Sequence, residues 1–126
     1  MTGYTIKRDD ERGVIVCALS ERYRDQHARS LCRELSAAVA WSRASGPLHL
    51  LFDNRAGQPL APATTETIRQ LVAEHAIPDD RVAILVPNSL AKGQARPLTD
   101  PTCALFLSES AAMMWLIGNH PGRLTA

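Results

Sequence analysis

A run of polar side chains follows the third apolar stretch of the sequence and holds the residue types best suited to binding. Asp53, Asn54 and Arg55 come directly after a predicted strand, and Thr64 and Thr65 lie near the predicted start of the next helix. Ligands gather at the carboxyl ends of strands in parallel α/β sheets, and a helix N-terminus there favours anions. These residues are the predicted ligand- or partner-binding site. In the alternative interpretation, Asp53 caps a turn and Arg55 pairs with it at the surface.

The histidines do not form a metal-binding or catalytic motif. They lie far apart along the chain, at His27, His49, His75 and His120. No pair has the i, i+4 spacing of H-E-x-x-H. His75 ends an apolar stripe, which favours a partly buried histidine whose ring is hydrogen-bonded. We therefore predict no metal site and no cofactor.

Nucleophilic chemistry is not indicated either. The three cysteines, Cys17, Cys32 and Cys103, each lie within an apolar run, and no C-x-x-C occurs. A thiol buried in apolar surroundings has a raised pKa and is inert. The sequence also lacks a G-x-S-x-G elbow and a glycine-rich phosphate loop. We predict no catalytic residue, and hence a protein that is not an enzyme.

Composition and charge limit the class of protein. The chain has 126 residues, of which 45% are hydrophobic and 21% charged, as expected for one globular domain spanning 1–126. Its net charge is +1, from 14 basic and 13 acidic residues, which does not favour nucleic acid as a partner. No apolar run approaches the roughly 20 residues of a membrane span. No leader-like segment is evident, so we expect a reducing cytoplasm.

Hydrophobic periodicity predicts the elements that position the candidate site. Apolar or alternating runs predict five strands, at Tyr4–Arg8, Val14–Leu19, Leu48–Phe52, Arg81–Val86 and Cys103–Leu107. Apolar residues at three- and four-residue spacing predict four helices. They span Asp25–Ser42, the stretch from Thr64 or Thr65 to Pro78, Ser89–Ala95 and Glu109–Ile117. Thr64 or Thr65 is the predicted N-cap of the second helix, and Ser108 that of the last. The predicted order is β-β-α-β-α-β-α-β-α. It implies an α/β fold with a mostly parallel or mixed five-stranded sheet, an ordered core over about 4–118 and a frayed tail over 119–126.

The last predicted helix is apolar on every side. Ala111, Met114 and Trp115 would cover the sheet, which leaves a second apolar face of Met113, Leu116 and Ile117. An apolar face that the sheet does not need is typical of an interface. These three residues are the predicted interface of a homodimer, as a hypothesis.

Two stretches of the sequence carry a resemblance to a known family. One is the strand end Leu50–Asp53 with Asn54 and Arg55. The other is Leu105–Leu116, whose phenylalanine, small residues and closing Trp-Leu recur in like order. With the order of elements, they resemble the STAS domain, the fold of the bacterial anti-sigma-factor antagonist SpoIIAA, and in particular the STAS-like group of short bacterial proteins.

The resemblance implies a protein that acts by binding. Phospho-switched STAS domains carry an Asp-Ser-Ser/Thr-Gly turn where the helix after the third strand opens. This chain has Gly-Gln-Pro-Leu-Ala-Pro-Ala-Thr-Thr over 57–65 and lacks that turn. Only Thr64 and Thr65 offer a hydroxyl to a kinase there.

Three functions remain open at this point. The first is a non-enzymatic STAS-like interaction or regulatory domain of a bacterial cytoplasmic protein, with a protein partner. The second is a small-ligand or lipid-binding module whose apolar pocket, between sheet and helices, is gated by the 56–63 loop. The third, which the absent motifs disfavour, is an enzyme of an unfamiliar kind.

Overall fold

The chain begins with a β-hairpin whose turn is fixed by side-chain bonds. β1 (Tyr4–Asp9) pairs antiparallel with β2 (Val14–Leu19). Asp9 accepts hydrogen bonds from the Arg12 N–H at 3.1 Å and from its Nε at 2.6 Å. Gly13 closes the turn at φ +68°, a conformation that glycine adopts without a steric cost.

As far as β4, strands and helices then alternate, as the sequence predicts. The computed structural model describes residues 3–56, 60–89, 91, 93 and 102–118. Within them, the elements after the hairpin are α1 (Ala28–Arg43), β3 (His49–Asp53), α2 (Pro62–Ala73), β4 (Arg81–Leu85), β5 (Cys103–Phe106) and α3 (Glu109–Ile117). A single 3-10 turn, Asp25–His27, precedes α1, where the sequence predicts continuous helix.

The sheet keeps the order of the chain. Its strands lie side by side as β1-β2-β3-β4-β5. β2 to β5 are mutually parallel, with Cys17 opposite Phe52, Phe52 opposite Ile84 and Ile84 opposite Leu105. The predicted α/β class with a mixed, mostly parallel five-stranded sheet is confirmed.

Helices cover both faces of this sheet. On one face, buried residues of α1 pack with residues from alternate positions of the strands, including Leu31, Leu35, Ile15, Cys17 and Leu50. On the other face, α3 contributes Ala112 and Leu116 against Val14, Leu51, Ala83 and Leu85. Strands buried on both sides have continuous apolar runs, as β2 and β3 do.

The second helix differs from its sequence prediction at both ends. α2 begins at Pro62 with Ala61 as its N-cap, so neither Thr64 nor Thr65 caps it. Proline suits the first helical position because its φ is already helical and it has no N–H to satisfy. The helix ends at Ala73. His75 then has a φ of +64° and an exposed side chain, so the prediction of a partly buried His75 is wrong.

Two predicted segments lie wholly or partly outside the described residues. Ser89, Ala91 and Gly93 are helical, and the remainder of the predicted helix Ser89–Ala95 falls outside them. The predicted frayed tail over 119–126 also falls outside. Among the described residues, no helix has both the length and the hydropathy needed to cross a membrane.

Candidate functional site

Asp53 is the last residue of the central strand and points to the α3 side of the sheet. Alternate residues of a strand share one face, and Leu51, two positions earlier, packs in the α3 core cluster. The backbone remains paired just beyond the strand, because the Asn54 N–H donates to the carbonyl oxygen of Leu85 at 3.0 Å. The carboxylate therefore sits on fixed backbone at the carboxyl edge of the sheet.

Arg55, two residues further along the chain, forms a hydrogen-bonded ion pair with this carboxylate. Its Nε lies 3.0 Å from Asp53 Oδ1, and its Nη2 lies 2.9 Å from Oδ2. The Arg55 backbone N–H also donates to Oδ1, at 3.1 Å. Such a two-point contact is the strongest geometry available to an arginine and a carboxylate.

The contact shifts the pKa of both groups. The side-chain bonds from Arg55 hold the pKa of Asp53 below its usual value, although partial burial opposes this shift. The same bonds raise the pKa of Arg55. At neutral pH the pair is therefore a carboxylate and a guanidinium.

The first turn of the last helix completes the cluster. Arg55 Nη2 lies 3.2 Å from Oε1 of Glu109. Ser108 caps that helix, as predicted, because its Oγ accepts from the Ala111 N–H at 3.1 Å. An acidic side chain such as Glu109 is favourable in a first turn. We call Asp53, Arg55 and Glu109 the carboxyl-edge cluster.

The other predicted site residues do not join the cluster. Asn54 Oδ1 is buried and has no hydrogen-bond partner among the described residues. Thr64 is buried in the first turn of α2, while Thr65 is half-buried. No hydrogen bond among the described residues links either threonine to Asp53 or Arg55. Burial also removes Thr64 from the reach of a kinase, which leaves Thr65 as the more accessible hydroxyl.

Comparison with known proteins identifies the fold. Neither the models of protein families nor the curated proteins give a match to the sequence. A solved structure from Shewanella loihica, described as an uncharacterized protein from the DUF3478 family with a SpoIIAA-like fold, matches with a TM-score of 0.62. The match covers 90% of this chain and 91% of that one, at 18% identity. This chain has a SpoIIAA-like fold.

The SpoIIAA-like fold confirms the STAS-like resemblance seen in the sequence. At this identity the match establishes the architecture, and function has to be argued from the site. Glu109 is the site residue that the sequence does not reveal. Arg55 and Glu109 lie far apart in the sequence, and their contact depends on where α3 crosses the SpoIIAA-like sheet.

The predicted interface on α3 needs one correction. Leu116 is fully buried in the core and cannot contact a partner, and Met113 and Ile117 are partly buried against the same cluster. The large apolar residue that α3 exposes is Met114, at 61%. Because this helix has no polar face, the sequence does not indicate which of its faces is buried. Dimer formation stays a prediction.

Within the described ranges, the thiols and histidines do not assemble into a second site. Burial raises the pKa of Cys17 to about 12 and also raises that of Cys32. Over the part of the chain that the structure describes, no His, Cys, Asp or Glu residues form a metal-binding group. The loop predicted to gate an apolar pocket includes 57–59, which lie outside the described residues, so that pocket stays a prediction.

Proposed function

We propose that this SpoIIAA-like domain is a non-enzymatic regulatory module that binds a protein partner through its carboxyl-edge cluster. The observation that carries the proposal is the charged contact from Asp53 through Arg55 to Glu109. It joins the end of the central strand to the start of α3 at the surface, with 40% of the Arg55 side chain and 61% of Glu109 exposed. A partner that contacts Arg55 therefore meets a preorganised charge pattern.

The chemistry of the cluster supports binding over catalysis. A general base works best when its pKa lies near the operating pH, whereas the bonds from Arg55 move the pKa of Asp53 further below that range. A nucleophilic thiol needs a lowered pKa, whereas burial raises that of Cys17. An exposed arginine, by contrast, is a residue of choice for ion pairs at interfaces.

The cellular setting is part of the same proposal. Cys17 and Cys32 are free thiols, which suits a reducing compartment. We place the domain in the bacterial cytoplasm, as part of a signalling or regulatory protein.

Site-specific photo-crosslinking, in cells that produce this protein, tests the proposed function. A photoreactive amino acid replaces Ala56, which is exposed and adjacent to Arg55, and in a control it replaces Ala73, exposed at the end of α2. We expect one discrete heavier species from position 56 and none from position 73. The substitution Arg55→Glu should abolish that species, because it reverses the charge between Asp53 and Glu109.

A charge-matched control guards against an effect of net charge. Arg69 is an exposed arginine of α2 whose ion pair among the described residues is local, with Glu66 at 3.2 Å. Arg69→Glu should leave the crosslink at position 56 intact. No crosslink at position 56, or one that survives Arg55→Glu, would contradict partner binding at this cluster.

A further inference from the structure

The outer edge of the sheet at β1 has backbone groups that point away from the protein. The Ser20 N–H donates to the carbonyl oxygen of Gly3 at 2.8 Å, which makes these two residues a hydrogen-bonded pair. Such pairs alternate along an antiparallel ladder. Thr5 and Lys7 therefore bond to β2, while the N–H and C=O of Ile6 and Arg8 point to the side on which the described part of the chain has no further strand. We call this side the open side.

The side chains along this edge are cationic. Lys7 is exposed on one face of the strand and Arg8 on the other. The Arg8 guanidinium carbon lies 5.1 Å from the ring centre of Trp41, which holds it beside the strand. Neither cation forms an ion pair with a described residue.

Two carboxylates of β1 and α1 have partners of their own. Asp9 pairs with Arg12 at 2.6 Å, across the hairpin turn. Glu34 of α1 accepts a hydrogen bond from the hydroxyl of Tyr4, which also contacts Ser30. Neither carboxylate forms an ion pair with Lys7 or Arg8, so both cations in the middle of the strand can still pair with a carboxylate of a partner.

We propose that the β1 edge binds an extended acidic segment of a partner protein by strand addition. The open N–H and C=O groups of Ile6 and Arg8 would pair with the backbone of the segment, and its carboxylates would lie beside Lys7 and Arg8. Backbone pairing of this kind gives affinity, while the flanking charges select the sequence.

The same charges disfavour the other obvious occupant, a second copy of this chain. An antiparallel two-fold pairing of β1 with itself, centred on Lys7, places that lysine opposite its own copy. Like charges directly opposite each other destabilise a strand pair, and lysine on an edge strand is a common protection against self-association. An acidic partner strand instead places carboxylates opposite these cations, and the two attract each other.

The opposite edge of the sheet lacks these features. β5 has only four residues, Cys103–Phe106, none of them charged. At β1, the exposed Asp10 and Glu11 of the hairpin turn would repel acidic residues of the bound segment. The acidic residues of the segment must therefore lie opposite the middle of β1. The preferred segment is therefore short, with its acidic residues central.

Titration with a synthetic peptide tests this surface. The probe is a short peptide with two adjacent central glutamates flanked by valines, which puts one carboxylate on each face of the strand. It is added to the ¹⁵N-labelled protein and followed by NMR. We expect amide shifts confined to β1 and the adjoining part of α1, and slower hydrogen exchange of the Ile6 and Arg8 amides. Binding should weaken as salt increases, because exposed charges are screened.

Two altered peptides separate strand addition from simple charge attraction. A peptide N-methylated at alternate amides keeps the charges but cannot complete the backbone pairing, so its binding should be lost. A peptide with lysine in place of glutamate should not bind. Equal binding of the N-methylated peptide, shifts located at β5, or no shifts at the highest peptide concentration would each overturn the proposal.

A matched pair of protein variants locates the contact. Lys7→Glu should weaken binding of the acidic peptide by roughly tenfold, and Arg69→Glu, an equal change of charge on α2, should leave it unchanged. An unaltered affinity of Lys7→Glu would also overturn the proposal. Because Arg55→Glu does not touch β1, this test and the crosslinking test can fail independently.

Discussion

Asp80 holds the amino-terminal edge of the sheet together, and replacing it with alanine is expected to destabilise the domain strongly. Its carboxylate is 2% exposed. It accepts hydrogen bonds from the Leu48 N–H at 2.9 Å, from the Ile77 N–H at 3.1 Å and from Arg43 Nη1 at 2.8 Å. Arg43 Nη2 also donates to the carbonyl oxygen of Val72, at 2.7 Å. One ion pair thus links the ends of α1 and α2 to the starts of β3 and β4.

The magnitude follows from what the substitution leaves behind. The Leu48 N–H is buried and loses its partner, a loss that costs about 1–3 kcal/mol. Arg43 becomes a largely buried, uncompensated charge, and breaking such a pair costs about 3–5 kcal/mol in all. The Arg43 side chain is 14% exposed and can still reach water, so we expect about 3 kcal/mol. For a domain of this size that corresponds to a Tm lower by about 10 °C.

Urea unfolding at pH 7, followed by far-UV circular dichroism, measures the effect. Asp80→Asn keeps one acceptor for the Leu48 N–H and should cost less, about 1–2 kcal/mol. It also supplies a measurable variant if Asp80→Ala does not fold. The control is Asp79→Ala, a change at the exposed neighbouring residue that should alter stability by less than about 0.5 kcal/mol. If Asp80→Ala unfolded at the same urea concentration as Asp79→Ala, the network would not be stabilising the fold.

Three further perturbations test the site, the core thiol and the last helix. The lowered pKa of Asp53 means that its pair with Arg55 stabilises the fold above roughly pH 4 and that this contribution is lost as the pH falls through the folded-state pKa. Arg55→Ala should therefore cost about 0.5–1 kcal/mol at pH 7, discounted for its exposure, and less near pH 3; an equal cost at both pH values would refute this. With its pKa raised to about 12, Cys17 should escape iodoacetamide at pH 8 in the native protein and react after unfolding, as peptide mapping would show. Leu116→Ala should cost about 2–5 kcal/mol in urea unfolding and Met114→Lys less than about 0.5 kcal/mol; the reverse order would mean that α3 is rotated.

The strands and the last helix were predictable because their signals are local. Val14–Leu19 and Glu109–Ile117 have the bounds that their apolar runs predict. The Ser108 cap is also a local signal, since serine needs only the N–H three residues ahead. The start of α2 was missed because two local signals compete there, and Pro62 outweighs the threonines that follow it.

The contacts between distant parts of the chain could not be predicted in this way. Asp53 and Arg55 are two residues apart, so their pairing is among the alternatives that the sequence offers. The contact of Arg55 with Glu109 depends on the path of α3 over the sheet, and no periodicity records that path. Asp80 likewise looks like part of a turn until the fold brings Arg43 against it.

Two arginine–aspartate pairs lie at opposite ends of the central strands, and their surroundings separate their roles. Arg43 and Asp80 are buried at the amino-terminal edge, where the carboxylate also satisfies backbone N–H groups, so their contact acts on stability. Arg55 and Asp53 are partly exposed at the carboxyl edge, where water weakens the pair and an exposed surface pair is worth little to the fold. The Arg55–Asp53 pair contributes little to stability, although two side-chain bonds fix its geometry. Such a pair is available for recognition. That contrast is the physical reason for proposing a partner site at the carboxyl edge of the sheet.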